Sequence, residues 1–164
     1  MANLLLKAGE VERYLAGGSM RIVLPLQPQP EFKVSGIGPV FEYRPTKARL
    51  FVTQAPKKAE RLRDFDRYAP FQPGDTVTIR EPWFLVSRNP NGSVTIRYDG
   101  GEERTLTPPE GTTVRVQWAG RWQGARSMYL WMCRFRVHIL TAECRKVGGV
   151  WSWVYDSKIE RIEA

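Results

Sequence analysis

Apolar positions recur with a helical period in two short stretches of this chain and with a period of two almost everywhere else. In residues 9–15, Val11, Tyr14 and Leu15 stand at i, i+3 and i+4, with Glu10 and Glu12 where a helix N-terminus favours negative charge. The spacing predicts a short helix, stopped by Gly17-Gly18. Met20-Arg21-Ile22-Val23-Leu24 then reads as a buried strand closed by Pro25 and the Pro28/Pro30 pair. The proline-containing stretch 25–45 reads as a long loop. Arg49-Leu50-Phe51-Val52-Thr53 predicts a strand, and residues 57–68, with Ala59, Leu62, Phe65 and Tyr68 on one side, a second short helix on the surface.

From there on strands dominate. Pro70, Pro73, Gly74 and Asp75 make a turn before the alternating Val77-Thr78-Ile79-Arg80, and Pro82 ends that pairing. Asn89-Pro90-Asn91-Gly92 joins Phe84-Leu85-Val86 to Val94-Thr95-Ile96-Arg97-Tyr98, a hairpin signal. Gly100-Gly101 turns the chain again, and residues 114–118, 134–141 and 150–155 read as further strands. Short strands with tight turns, preceded by one or two helices, predict a mainly β (α+β) fold: a small antiparallel barrel with one or two short flanking helices. Without repeats, low-complexity tracts or a linker, residues 1–164 read as a single domain.

Composition fits that picture and narrows the chemistry. With 42% hydrophobic and 26% charged residues among 164, the chain is expected to bury a core without covalent staples. Cys133 and Cys144 cannot form a disulfide framework and lack zinc-knuckle spacing, which points to free thiols in a reducing cytoplasm. The single histidine, His138, rules out a site with two His ligands. The N-terminal Leu4-Leu5-Leu6 run is too short for a signal peptide, and no apolar stretch of about 20 residues could span a bilayer, so a soluble protein is expected. Neither Gly17-Gly18 nor Gly100-Gly101 is followed by a phosphate-loop lysine or dinucleotide spacing, and no cofactor is expected.

The net charge of +8 makes polyanions candidate partners, and its placement sharpens this. Residues 113–146 hold Arg115, Arg121, Arg126, Arg134, Arg136, Arg145 and Lys146 against the single Glu143, mixed with Trp118, Trp122, Tyr129 and Trp131. On Arg134-Phe135-Arg136-Val137-His138-Ile139, alternation puts Phe135, Val137 and Ile139 on a core face and Arg134, Arg136 and His138 on a basic stripe. Phosphate contacts by such a stripe would be salt-dependent, and tryptophans at its edge could stack on unpaired bases for about 1–3 kcal/mol each. The same tryptophans could equally fill the barrel and its ends. In Trp151-Ser152-Trp153 both rings share one face, as a barrel lid or a stacking platform. Arg80-Glu81 reads either as a local ion pair at a strand end or as the lining of a ligand cleft.

Three segments carry a family resemblance: Leu4-Leu5-Leu6-Lys7 through Ala16-Gly17, Gly74-Asp75-Thr76-Val77-Thr78-Ile79-Arg80-Glu81-Pro82-Trp83, and Trp151-Ser152-Trp153-Val154 through Arg161-Ile162. Together they resemble the ASCH branch of the PUA-like superfamily, in particular its phage-encoded members. Gln29-Pro30 resembles that group's Pro-rich loop, Arg80-Glu81-Pro82-Trp83 its Arg-Glu-x-Trp element and Tyr98-Asp99-Gly100 its Tyr…Asp-Gly turn. Ser127-Met128-Tyr129-Leu130, with Arg134 shortly after, stands where the family has Ser-Ile-His-Met and an arginine. The resemblance implies a pseudobarrel with a cleft, between the first helix and the barrel, that receives RNA, DNA or a modified nucleobase. The basic turn that serves catalysis in the amidohydrolase members is replaced here by Gly17-Gly18-Ser19-Met20, leaving Arg21 as the nearby cation. Hydrolysis through an activated lysine is therefore not expected.

The leading expectation is a noncatalytic nucleic-acid or nucleotide-binding module of a phage or prophage, its partner RNA or single-stranded or modified-base DNA. Arg21, Arg80, Arg134 and Arg136 would contact phosphates or base edges, Trp83, Tyr98, Trp131, Trp151 and Trp153 would stack, and Glu81 would line the same cleft. One alternative is a nucleoside- or nucleic-acid-processing hydrolase with Glu81 as general base, its pKa lowered by Arg80. Another is a phage factor that binds a host protein through arginine and tryptophan.

Overall fold

Strict alternation builds most of what is seen. The structure is a computed structural model that describes residues 3–5, 18–112, 114 and 120–163. The helix predicted over residues 9–15, with Gly17, and positions 115–118 of the strand predicted over 114–118 lie outside the described residues. The fold is mainly β, with strands β1 (Asn3–Leu5), β2 (Ser19–Pro25), β3 (Glu31–Ser35), β4 (Gly38–Thr46), β5 (Arg49–Gln54) and β6 (Thr76–Arg80) in the first half. The second half holds β7 (Trp83–Arg88), β8 (Val94–Tyr98), β9 (Glu103–Leu106), β10 (Trp122–Gln123), β11 (Phe135–Val147) and β12 (Val150–Arg161). β1 pairs parallel to β6, whereas β6–β11, β10–β7, β7–β8, β8–β9, β3–β4 and β4–β5 are antiparallel. Among the described residues the helical elements are 3-10 turns, and no helix is long and apolar enough to cross a membrane.

The chain divides into two compact units, one of residues Met1–Met20, Thr76–His138 and Lys158–Ala164, the other of Arg21–Asp75 and Ile139–Ser157. Boundaries fall inside β2, β11 and β12, so neither unit is a contiguous piece of sequence.

In the first unit, β11 lies antiparallel to β6, with Phe135 opposite Ile79 and Val137 opposite Val77. All four side chains are buried, as the alternation requires. A four-stranded sheet in the order β10-β7-β8-β9 supplies the rest of the core. Its β7–β8 hairpin sets Trp83 opposite Tyr98 and Leu85 opposite Ile96. These four pack with Val94, Val114, Met128, Met132 and Cys133. The predicted turn between those strands closes at Gly92, whose φ of +89° suits glycine.

In the second unit the stretch read as a long loop is a sheet. β3, β4 and β5 pair antiparallel, with Phe32 opposite Phe41 and Tyr43 opposite Phe51. Its prolines are compatible with this because Pro39 stands near the start of β4, while Pro45 falls where the β4–β5 register shifts. Phe41 packs edge-on to Trp151 and Tyr43 to Trp153, each ring pair under 6 Å apart at 5.3 and 5.9 Å. The Gln29 side chain then acts as a short piece of strand. It accepts from the Trp151 N–H and donates to the Trp151 carbonyl, both at 2.8 Å.

The helix predicted over 57–68 is also corrected. Residues 60–62 are extended and hydrogen-bonded to β11: the Leu62 N–H donates to the Cys144 carbonyl and the Lys146 N–H to that of Glu60. Only Arg63–Tyr68 is helical, and it is a 3-10 turn. Ala59, Leu62, Phe65 and Tyr68 are spaced at every third position, which matches three residues per turn better than 3.6.

Candidate functional site

Glu81 and Arg134 form a buried ion pair in the first unit. Arg134 Nε donates to Oε2 of Glu81 at 2.9 Å and Nη2 to Oε1 at 2.8 Å, while Nη2 also donates to the Asp99 carbonyl at 2.9 Å. The guanidinium lies 4.8 Å from the centroids of Tyr98 and Phe135, and Glu102 adds a second carboxylate at 3.6 Å. Burial pushes the Glu81 carboxyl above its ordinary range, with the Arg134 hydrogen bonds and charge pulling against it. Burial opposes the Arg134 charge too, yet its bond to Glu81 holds it more firmly protonated than usual.

Two expectations are corrected here. Glu81 does not pair with Arg80, because consecutive residues of an extended chain face opposite sides. Arg80 instead donates to the Arg126 carbonyl at 3.2 Å. The Glu81 pKa is raised rather than lowered, and the carboxylate is sealed from solvent, unlike an accessible general base.

The predicted stacking residues are largely interior. Trp83 and Tyr98 have no exposed surface: the Trp83 indole N–H donates to Ser127 Oγ at 3.0 Å and the Tyr98 hydroxyl to the Met132 carbonyl. Trp151 and Trp153 are buried in the second unit. Trp131 is half-buried and stacked on Tyr129, ring centroids 5.7 Å apart. The core face of β11 is as expected, but the basic stripe is neutralised. Arg134 turns inward, and Arg136 and His138 share the Glu160 carboxylate, which Arg136 Nε meets at 2.9 Å and His138 Nε2 at 2.5 Å. Hydrogen bonds from Arg136 and His138 hold the Glu160 pKa down at about 2. Arg21 is exposed on β2 in the second unit. The ten predicted residues thus fall into a buried ion-pair cluster, a few surface positions and the aromatic core of the other unit.

Exposed arginines do stand beside half-buried aromatic rings, at residues that sequence reasoning missed. In the second unit a cavity of about 330 Å³ is lined by Tyr43, Pro45, Thr46, Arg49, Phe51, Arg67 and Tyr68. The β4–β5 hairpin supplies the first five and the 3-10 turn the last two. Phe51 and Tyr68 stack with centroids 3.6 Å apart and planes 14° off parallel, and the Arg67 guanidinium sits 4.9 Å from the Tyr68 centroid. Arg49 and Arg67 are exposed.

No carboxylate lines this cavity, although the turn beside it carries two aspartates. Both are engaged elsewhere. Asp64 accepts from Thr53 Oγ1 at 2.7 Å, and Asp66 accepts from Arg61 and from the Cys144 N–H, each at 2.7 Å. Two further cavities of this unit contain acidic residues, Glu31 and Glu42 in one and Asp64 in the other. The missed signal was the pairing of Arg49-x-Phe51 with Arg67-Tyr68, which only the fold brings together.

The two thiols offer no nucleophile: Cys133 and Cys144 are free and buried, and burial pushes each pKa up to about 12. Comparison of the chain with protein-family models, with curated proteins and with solved structures gives no match in any of the three.

Proposed function

We propose that the chain binds single-stranded nucleic acid, RNA or DNA, through the cavity of the second unit, with a base against the Phe51/Tyr68 wall and phosphates on Arg49 and Arg67. One observation carries this reading: two solvent-facing guanidinium groups share a concave wall with stacked aromatic rings, and no acidic residue lines it. A guanidinium can engage a phosphate through two parallel hydrogen bonds, and an aromatic face accepts any base. Unpaired bases fit better than duplex, whose base faces are already stacked. The residues predicted to form the helix bordering the cleft that the family resemblance implies lie outside the described residues.

The test is fluorescence anisotropy with labelled single-stranded RNA and DNA across a salt series. Arg49→Ala and Arg67→Ala are each expected to weaken binding and to lower the slope of log K against log salt by about 1. Absence of wild-type binding even near 50 mM salt, or variants indistinguishable from wild type, would reject the reading.

A further inference from the structure

The four-stranded sheet of the first unit turns Trp83, Leu85, Val94, Ile96 and Tyr98 inward. Its opposite face carries a row in register across all four strands: Trp122 on β10, Phe84 on β7, Arg97 on β8 and Glu103 on β9. The row is continuous in contact as well. The Trp122 and Phe84 rings are 5.6 Å apart, the Arg97 guanidinium lies 5.5 Å from the Phe84 centroid, and Arg97 reaches Glu103 at 3.5 Å. Beside it runs a second registered row of hydroxyls, Ser87, Thr95 and Thr105, the two threonines 2.9 Å apart.

Trp122 is 52% exposed, and no other aromatic residue among those described is classed as exposed. An indole left half in water on a sheet face that already has a buried side is not required by the core, and tryptophan is a residue type concentrated in binding surfaces. The surrounding charge selects the partner. Residues 120–127 contain Arg121 and Arg126, both exposed, and no Asp or Glu. Trp122 lies between Arg121 and Arg126 in the chain, and an exposed ring beside a row of hydroxyls, in a segment whose charged residues are both arginines, complements a base with its sugar and phosphate.

We infer that this sheet face is a second base-stacking site for single-stranded nucleic acid, with Trp122 as its platform and Arg121 and Arg126 as its phosphate contacts. The inference rests on the reading that the chain binds nucleic acid, but it uses no residue of the Phe51/Tyr68 cavity.

The experiment titrates a fluorescein-labelled oligouridylate into the full chain. Trp122→Ala is expected to lower affinity about 5- to 150-fold, the range for one stacked base, while the slope of log K against log salt stays unchanged. Arg121→Ala is expected to lower that slope by about 1. Trp122→Phe, which keeps an aromatic ring against Phe84, is expected to retain the unfolding midpoint and lose most of the quenching of tryptophan emission by unlabelled oligouridylate. Wild-type affinity in Trp122→Ala, or undiminished quenching in Trp122→Phe, overturns the inference. If Arg49→Ala and Arg67→Ala still weaken binding in that case, the cavity reading stands without it. No binding by the wild-type chain overturns both.

Discussion

Arg134 grips Glu81 through both carboxylate oxygens in a place where the arginine retains 5% of its surface and the glutamate none. Two charges removed from water offset their desolvation only while each has the other. Glu81→Gln or Arg134→Met is therefore expected to lower unfolding free energy by about 3–5 kcal/mol, because either leaves one buried charge uncompensated. Replacing both with apolar side chains is expected to restore a large part of the loss. Urea unfolding of the two single variants and the double variant checks this; a double variant as unstable as the sum of the singles would contradict it.

On β12, Glu160 answers to pH. Its pKa is held at about 2, below the ordinary 4.5, first by the hydrogen bond from Arg136 and then by that from His138. A carboxylate depressed on folding contributes stability above its unfolded pKa and loses it as pH falls through its folded one. The difference in urea midpoint between wild type and Glu160→Gln is expected to be steady above about pH 5 and to shrink between about 4.5 and about 2. The groups are exposed, so the difference should be largest at low ionic strength. A midpoint difference that does not change across that acid range would count against the contact.

The thiols give a third expectation. With both pKa values raised to about 12 and both side chains buried, neither Cys133 nor Cys144 should react with a disulfide reagent at pH 8 in the native protein. Both should react once the chain is unfolded in urea. Rapid labelling of the native chain would show that one of the units opens readily.

The Phe51/Tyr68 wall separates stacking from charge. Phe51→Ala is expected to weaken single-stranded oligonucleotide binding by about 1–3 kcal/mol without altering its salt dependence, and Tyr68→Phe to leave it near wild type. Anisotropy at several salt concentrations distinguishes this from the arginine variants. A change in salt slope on Phe51→Ala would mean that the substitution disturbs Arg49 or Arg67 rather than a base contact.

Much of the strand pattern is legible in the chain. Phe135, Val137 and Ile139 alternate inward as their spacing demands, and Asn89 to Gly92 closes the predicted hairpin. What was misread has physical causes. Pro39 and Pro45 look like strand breakers until the β4–β5 register shift provides a place for the second. The three-residue period of Leu62, Phe65 and Tyr68 resembles that of an α-helix but suits the tighter 3-10 turn.

The candidate site was less legible because charge partners are chosen by the fold. Arg134 stands 53 positions from Glu81, and alternation assigned it to the outer face. It precedes β11 by one residue, which frees its side chain from the strand's alternation to reach inward. Nor does any local spacing connect Phe51 with Tyr68, which meet only when β5 and the 3-10 turn pack together. Counting arginines and tryptophans therefore suggested a kind of ligand contact without locating it.

The proposed binding mode requires a nucleobase to rest against Phe51 and Tyr68. Photocrosslinking of the chain to a single-stranded oligonucleotide carrying 5-iodouridine, followed by mass spectrometry of the crosslinked peptides, tests it most directly. Crosslinks to peptides containing Phe51 or Tyr68, lost in the Arg49→Ala/Arg67→Ala double variant, are the predicted result. Crosslinks that avoid both peptides and persist in the double variant would contradict it.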